Sequence, residues 1–151
     1  NCKDFLPDGL ELEDAIQVAF KVQEAGVDAI ELSGGTIIPG EISHCRAGIT
    51  SEEKEAYFRE EARAFKGKLR VPLILVGGIR SFQLADRFVN EGYADYISMS
   101  RPFIREPGLI RRWESGDVRK AKCVSDNQCR GLVLAGEPLH CVVEKNLKQG
   151  N

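Results

Sequence analysis

The stretch "LILVGGIRSFQLADRFVNEGYADYISMSRPFIREP", residues 73–107, decides the fold of this chain. One apolar run ends in Gly77-Gly78, a segment with helical spacing follows, and a second apolar run ends in Ser100-Arg101. Two apolar runs joined by a helix are typical of a βαβ unit, whose strands are parallel and whose connection is right-handed. The sequence therefore predicts that both Gly77-Gly78 and Ser100-Arg101 lie at carboxyl ends of strands in one sheet.

The same alternation of helix and strand extends upstream of this unit. Apolar residues at helical spacing predict a helix over residues 12–25, and the run at residues 27–33 predicts a strand. Thr50-x-x-Glu53 has the form of a capping box and predicts that a second helix begins there. Ser81 is predicted to cap the helix that follows Gly77-Gly78. The predicted strands are those at residues 27–33, 69–78 and 94–100.

Parallel strands joined by helices occur in open doubly wound sheets and in TIM (β/α)₈ barrels. A barrel takes about 250 residues, whereas this chain has 151 and three obvious strands. It starts on a helix with no strand before it and does not begin with Met, which favours a piece of an α/β TIM barrel cut from a longer chain. We predict a barrel part at residues 1–120 and a Cys-containing C-terminal tail at residues 121–151.

Composition and charge exclude several classes of partner. The formal net charge is −2 and no basic run is present, so we expect no nucleic acid. Apolar runs reach about eight residues, far below the ~20 of a membrane span, so we expect no membrane partner. The start "NCKDFLPDG" lacks the apolar core of a signal peptide. Five cysteines without a secretory mark predict a reducing, cytoplasmic setting.

The two strand ends have the residues of an anion-binding site. In parallel α/β folds the chemistry lies at the carboxyl ends of strands, and barrels often bind phosphate after the last two. Glycines let backbone N–H groups approach phosphate oxygens, and Arg101 adds charge-assisted hydrogen bonds. Gly-Gly alone is typical of a tight turn, but Gly77, Gly78, Ser100 and Arg101 together predict a phosphate cup. No G-x-G-x-x-G is present, which argues against a dinucleotide site.

Four stretches of the chain resemble the C-terminal part of the NADH:flavin oxidoreductase family, the relatives of old yellow enzyme. These stretches are "DAIELSGGT" (28–36), "VPLILVGGIRS" (71–81), "DYISMSRPFIREPGLIRRWESGD" (95–117) and "AKCVSDNQC" (121–129). The resemblance implies an FMN-binding TIM barrel that passes hydride from NADH or NADPH, through the flavin, to a small-molecule acceptor such as an activated alkene. It also implies that the three strands are the sixth, seventh and eighth of the barrel.

The resemblance assigns the FMN phosphate to the seventh and eighth strand ends. It places Gly77 and Gly78 on one side of the phosphate and Ser100 and Arg101 on the other, although many relatives have Gly-Arg where this chain has Ser100-Arg101. It also implies that the flavin-ring ligands and the catalytic groups lie in the first five strands. We therefore expect no catalytic residue in this chain, which would need the missing N-terminal half of the barrel for hydride chemistry.

Other interpretations of the same residues remain open. His44 is interpreted as a solvated loop residue, and Tyr57 as a helical residue without an acid role. Another phosphate-binding barrel enzyme, such as a sugar-phosphate isomerase or aldolase, would need an acidic group at a strand end, and Glu31 is the nearest candidate. A catalytically inert half-barrel is the third alternative. Because a three-stranded parallel sheet has two open edges, we expect self-association.

The three cysteines of the tail raise the question of a metal. Larger members of the family resemble [4Fe–4S] proteins with the pattern C-x₂-C-x₃-C-x₁₁-C, and clusters of this kind use four thiolates. Here Asp126 stands where the second Cys would be, and the spacing between Cys123 and Cys129 is one residue shorter, while Cys129 and Cys141 keep the long spacing. We favour free thiols and predict no metal ligands, with an iron–sulfur cluster or a Cys₃Asp zinc site as the alternatives.

Overall fold

The computed structural model describes residues 1–149 and contains one three-stranded parallel sheet with helices between its strands. The strands are β1 (Ile30–Leu32), β2 (Leu73–Leu75) and β3 (Tyr96–Ile97). The helices are α1 (Leu12–Glu24), α2 (Arg59–Lys66), α3 (Phe82–Asn90), α4 (Arg101–Arg105), α5 (Leu109–Glu114), α6 (Gln128–Leu134) and α7 (Val142–Gln149). Within residues 1–149, no helix combines the length and apolar character needed to cross a bilayer.

The sheet confirms the three predicted strands and their parallel pairing, although each strand is shorter than its apolar run. The order is β1-β2-β3, with both pairs parallel. On the central strand, Leu73 and Leu75 are fully buried, whereas Ile74 is half-buried. Ile74 pairs with Glu31 on one side and with Tyr96 on the other, and both of these are exposed. One face of the sheet is therefore covered, and the other is open.

The helices α1, α2 and α3 cover the buried face of the sheet because each of the three carries an apolar stripe at helical spacing. The main core includes Ala15, Ile16 and Ala19 from α1, Ala62 and Phe65 from α2, and Leu84 and Phe88 from α3. Leu109 and Trp113 of α5 form a second buried cluster with Ala121. Residue 121, where the tail was predicted to begin, is thus packed against α5. The tail also contains α6 and α7, which the sequence did not predict.

The predicted helix start at Thr50 is wrong. The structure has only a short 3-10 helix there, Glu52–Lys54, and α2 begins at Arg59. Between them Glu55 is extended and Ala56 has a φ of +46°, so the chain leaves the helical path for one turn. The capping box fails because the Glu55 side chain turns into the protein instead of staying on a helix surface.

The buried Glu55 carboxylate contacts the start of α3. Glu55 has no exposed surface, and its Oε2 accepts hydrogen bonds from the backbone N–H groups of Arg80 at 2.7 Å and Ser81 at 2.9 Å. Its Oε1 accepts the Ser81 hydroxyl at 2.7 Å and pairs with Lys120 Nζ at 2.6 Å. Ser81 is the N-cap residue of α3, as predicted, but its side chain makes no capping hydrogen bond and its hydroxyl donates to Glu55 instead.

Removing the Glu55 carboxylate is expected to destabilise the fold strongly. Glu55→Ala leaves two backbone N–H groups and Lys120 without their acceptor, and we expect the free energy of unfolding to fall by about 3 kcal/mol. Urea denaturation measures this loss. Glu52→Ala is the matched control, because its ion pair with Arg87 is solvent-exposed and should contribute less than about 1 kcal/mol. Equal losses in the two variants would contradict the assigned role of Glu55.

Candidate functional site

A cavity of about 450 Å³ lies at the carboxyl ends of the three strands. It brings together three of the four residues of the predicted phosphate cup: Gly78, Ser100 and Arg101. Gly77 is buried behind this lining, where its carbonyl accepts the Tyr57 N–H at 3.1 Å. Polar and charged residues elsewhere in the lining include Glu31, His44, Tyr57, Arg80, Ser98 and Arg130.

The end of β2 is shaped by its two glycines. Gly77 and Gly78 have φ angles of +137° and +74°, conformations that favour glycine. A Cβ on Gly78 would lie 2.7 Å from the Tyr57 ring, so the absence of a side chain allows the ring to pack on the backbone. Within residues 1–149 the Gly78 N–H donates no hydrogen bond. This donor is therefore available to a bound group in the cavity.

The end of β3 provides further donors. Ser100 is exposed and is the N-cap of α4, which begins at Arg101. Their backbone N–H groups have no acceptor in the part of the chain that the structure describes, as expected at a helix start. The Arg101 Nη1 donates to the Arg46 carbonyl at 2.8 Å and to Asn127 Oδ1 at 2.5 Å. Both acceptors are neutral, so the charge of Arg101 is not matched by them.

Tyr57 lies at the cavity and not on a helix, which corrects the sequence interpretation. Its hydroxyl donates to the His44 carbonyl at 2.9 Å, and the Arg46 guanidinium lies 4.6 Å from its ring centroid. Burial raises the pKa of the Tyr57 hydroxyl, although the charges of Arg101 and Arg46 act against that rise. A raised pKa keeps this hydroxyl protonated, so it acts as a donor that fixes the loop containing His44.

His44 and Glu31 also line the cavity. His44 is an exposed loop residue, as expected, and it is also part of the cavity lining. Its Nδ1 lies 2.8 Å from the Thr36 carbonyl, and because a carbonyl only accepts, Nδ1 carries the hydrogen and Nε2 is the free acceptor. Glu31 accepts the Ser98 hydroxyl at 3.2 Å. Glu31 on β1 and His44 in the loop that follows it both lie at the strand-end side of the sheet, where the sequence predicted the site.

Arg80 is a cavity residue that the sequence analysis missed. Its side chain is buried, and it donates through Nη1 to the Ile49 carbonyl and to Ser125 Oγ. Both partners are more than 30 residues away in sequence, so no local pattern predicts them. The available signal was its position, two residues after Gly78 at a strand end that faces ligands in this class of fold.

The cysteines of the tail do not form a metal site in the structure. Cys123 is buried, Cys129 and Cys141 are half-buried, and the three border one small cleft beside Arg105. Between residues 1 and 149, no group of three or more His, Cys, Asp or Glu side chains is placed to hold a metal ion. All five cysteines are free thiols.

Comparison with known proteins gives a consistent match. The model of the NADH:flavin oxidoreductase / NADH oxidase family matches residues 2–119. An NADH oxidase of Thermoanaerobacter brockii is 30% identical over 93% of this chain and 21% of its own length. A 4,4'-dithiodibutanoate disulfide reductase of Rhodococcus erythropolis is 26% identical over 97% of this chain and 42% of its own length. The chain thus spans less than half the length of these relatives.

A solved structure has the same fold over most of the chain. The structure of a 2-naphthoyl-CoA reductase in complex with 2-naphthoyl-CoA superposes with a TM-score of 0.75. The match covers 91% of this chain and 21% of the other, at 23% identity. That neighbour is a TIM-barrel reductase, so the three-stranded sheet and its helices have the fold of part of such a barrel.

The glycine at the end of β2 gives a direct test of the site's packing. Gly78→Ala should lower the free energy of unfolding more than Gly92→Ala, a matched glycine with a φ of +76° and nothing within 4 Å. Gly92→Ala should cost only the left-handed backbone conformation, about 1–2 kcal/mol, whereas Gly78→Ala also displaces the Tyr57 ring. Urea denaturation of both variants measures the difference. Equal losses would mean that Tyr57 does not pack on Gly78.

Proposed function

We propose that this chain, which belongs to the NADH:flavin oxidoreductase / NADH oxidase family, forms the FMN phosphate-binding part of an FMN-dependent NAD(P)H oxidoreductase. The observation that carries the proposal is the charge of the cavity at the strand ends. Its lining includes three guanidinium groups, from Arg80, Arg101 and Arg130, against one carboxylate, from Glu31. This excess of two positive charges is comparable to the charge of a phosphate monoester, about −1.5 to −2 at neutral pH.

The residues at the strand ends match a phosphate group in their hydrogen-bond donors as well as in their charge. The backbone N–H groups of Gly78, Ser100 and Arg101 would donate to its oxygens, and the Arg101 guanidinium would add charge-assisted bonds. Gly77 would shape the turn that presents Gly78. Arg80 also lines this cavity.

When bound, FMN would supply the hydride chemistry, accepting hydride from NADH or NADPH and delivering it to a small-molecule acceptor. This chain's own part would be to hold one end of the cofactor. The Tyr57 ring, packed on Gly78, would exclude water from one side of the cup. We assign no catalytic residue to the chain. In this proposal its strands are the sixth to eighth of the barrel, and the ring ligands come from sequence that precedes them.

The division of the chain is part of the proposal. Residues 1–120 would be the barrel part, and residues 121–151 a Cys-containing C-terminal tail. The Gly48 N–H donates to the Ser125 carbonyl at 3.0 Å, and Asn127 accepts from Arg101, so the start of the tail contacts the site. Residues 150 and 151 lie outside the described residues. The five free thiols support the proposed cytoplasmic setting.

Self-association of the chain is also proposed, and it is supported by the open face of the sheet. The row formed by Glu31, Ile74 and Tyr96 lies on that face, and Tyr96 is 60% exposed. Copies of the chain, or the missing half of the barrel, would cover it. Light scattering at about 10 µM should give a mass above that of one chain, 16.7 kDa, and a Tyr96→Lys variant should move towards the monomer. A monomeric wild-type chain would contradict the proposed self-association.

A second candidate function is favoured by the position of Glu31. A carboxylate at a strand end that lines a cationic cavity is also suited to a sugar-phosphate isomerase or aldolase, in which it would move a proton. Such a protein would bind ribose 5-phosphate and stay colourless with FMN. A chain that binds neither ligand would correspond to the inert half-barrel.

The proposal predicts that the phosphate contributes most of the flavin affinity of this chain. We expect FMN to bind at least 10-fold more tightly than riboflavin, which lacks the phosphate, as measured by quenching of flavin fluorescence. Arg101→Gln should weaken FMN binding by about 10- to 100-fold, because it removes a charge-assisted contact. The same variant should leave riboflavin binding unchanged.

Arg111→Gln is the matched control, since Arg111 is exposed on α5 and does not line the cavity. It should bind FMN like the wild-type chain. Equal affinity of the wild-type chain for FMN and riboflavin would contradict the proposed role of the cup. Tight ribose 5-phosphate binding without FMN binding would support the second candidate instead.

A further inference from the structure

A buried arginine at the end of β2 has no acidic partner in the structure. Arg80 is only 8% exposed and lines the cavity. Its Nη1 donates to two neutral acceptors, the Ile49 carbonyl and Ser125 Oγ. Its Nε is buried and has no hydrogen-bond partner within residues 1–149. Because a guanidinium stays charged at neutral pH, burying it without a counter-charge costs free energy.

The carboxylate of Glu55, which contacts the backbone of Arg80, does not supply this counter-charge. Glu55 accepts the backbone N–H of Arg80 at 2.7 Å, but it also pairs with Lys120 Nζ at 2.6 Å. One negative charge is therefore already matched by one ammonium group. No ion pair joins the Arg80 guanidinium to any carboxylate in the described part of the chain. A counter-charge for Arg80 would have to come from outside these residues.

Arg101 lies in a parallel position at the end of β3. Arg80 donates to Ile49 and Ser125, and Arg101 donates to Arg46 and Asn127. Both arginines thus reach the same two segments, residues 46–49 and residues 125–127, and both line the same cavity. Two guanidinium groups that share one space repel each other unless an anion lies near both.

The electrostatics of Arg80 agree with this geometry. Burial lowers the pKa of its guanidinium, and the charge of Arg101 acts in the same direction, while Cys123 and Glu55 act in the opposite one. The unbound site is therefore unfavourable for a second positive charge. A dianion would offset both the burial and the repulsion between the two arginines.

We propose that Arg80 is a second anion-binding residue of the cavity and holds a phosphate-class dianion together with Arg101. The identification of FMN as the natural source of that phosphate rests on the proposed function, whereas the anion site rests on the two arginines. Because they also hold residues 46–49 and 125–127, the bound anion stabilises the loop and the start of the tail.

Thermal unfolding of the full chain in sodium phosphate and in sodium chloride, at equal ionic strength, tests the anion site. We expect phosphate to raise the Tm of the wild-type chain by about 3–6 °C over chloride. Arg80→Gln should lose at least half of this rise, Arg80→Lys should lose less, and Arg111→Gln should keep all of it. No phosphate effect on the wild-type chain, or a full effect in Arg80→Gln, would overturn the proposal.

A measurement on the wild-type chain alone covers the case in which the variants do not fold. Within residues 1–149 the Arg80 Nε–H has no hydrogen-bond partner, so its ¹H–¹⁵N resonance should shift as inorganic phosphate is added. An Arg80 resonance that stays fixed while phosphate is added to saturation would overturn the proposal. Chloride at equal ionic strength is the control and should leave the resonance in place.

The flavin experiments separate this inference from the proposed function. If phosphate stabilises the wild-type chain through Arg80 but FMN does not bind, the anion site stands and the proposed cofactor is wrong. If FMN binds more tightly than riboflavin and Arg80→Gln keeps that full preference, the proposed function stands and the role of Arg80 is wrong.

Discussion

The buried carboxylate of Glu55 is the constraint on which the site depends. It accepts both backbone N–H groups at the start of α3 and pairs with Lys120, so it joins the end of β2 to the segment that leads into the tail. With Glu55 in this position, the segment from Thr50 to Ala56 does not form the predicted α-helix. The turn that it forms instead places the Tyr57 ring against Gly78. The shape of the cavity follows from these contacts.

The sequence predicted those parts of the fold that depend on local pattern. The βαβ unit at residues 73–107 was predicted correctly because its apolar runs, its helical spacing and its glycines lie close together in the chain. The helix at Thr50 was predicted wrongly because a capping box is a local preference of about 1 kcal/mol, and contacts of Glu55 with residues 25 or more positions away outweighed it. The helices α6 and α7 were not predicted, because the spacing of the cysteines in the tail indicated a possible metal site and not a helix.

The candidate site shows the same division. Gly78, Ser100 and Arg101 were found because they end predicted strands, and parallel strands bring their carboxyl ends to one edge. Arg80, Tyr57 and His44 join them through contacts across long sequence separations, which a single sequence does not encode in any short pattern. The cavity also differs in charge from the whole chain, since three arginines and one glutamate line it although the chain has a net charge of −2. The formal net charge of the whole chain therefore says little about a compact anion site.

The central claim is that the cavity at the strand ends holds the phosphate of FMN. The most direct measurement is the ³¹P resonance of FMN during titration with the full chain, because this signal reports the environment of the phosphate alone. The account predicts a saturable shift of the resonance with the wild-type chain, and with Arg101→Gln a shift that needs about 10- to 100-fold more protein to reach saturation. An FMN resonance that stays unshifted with the wild-type chain at millimolar concentration would contradict it.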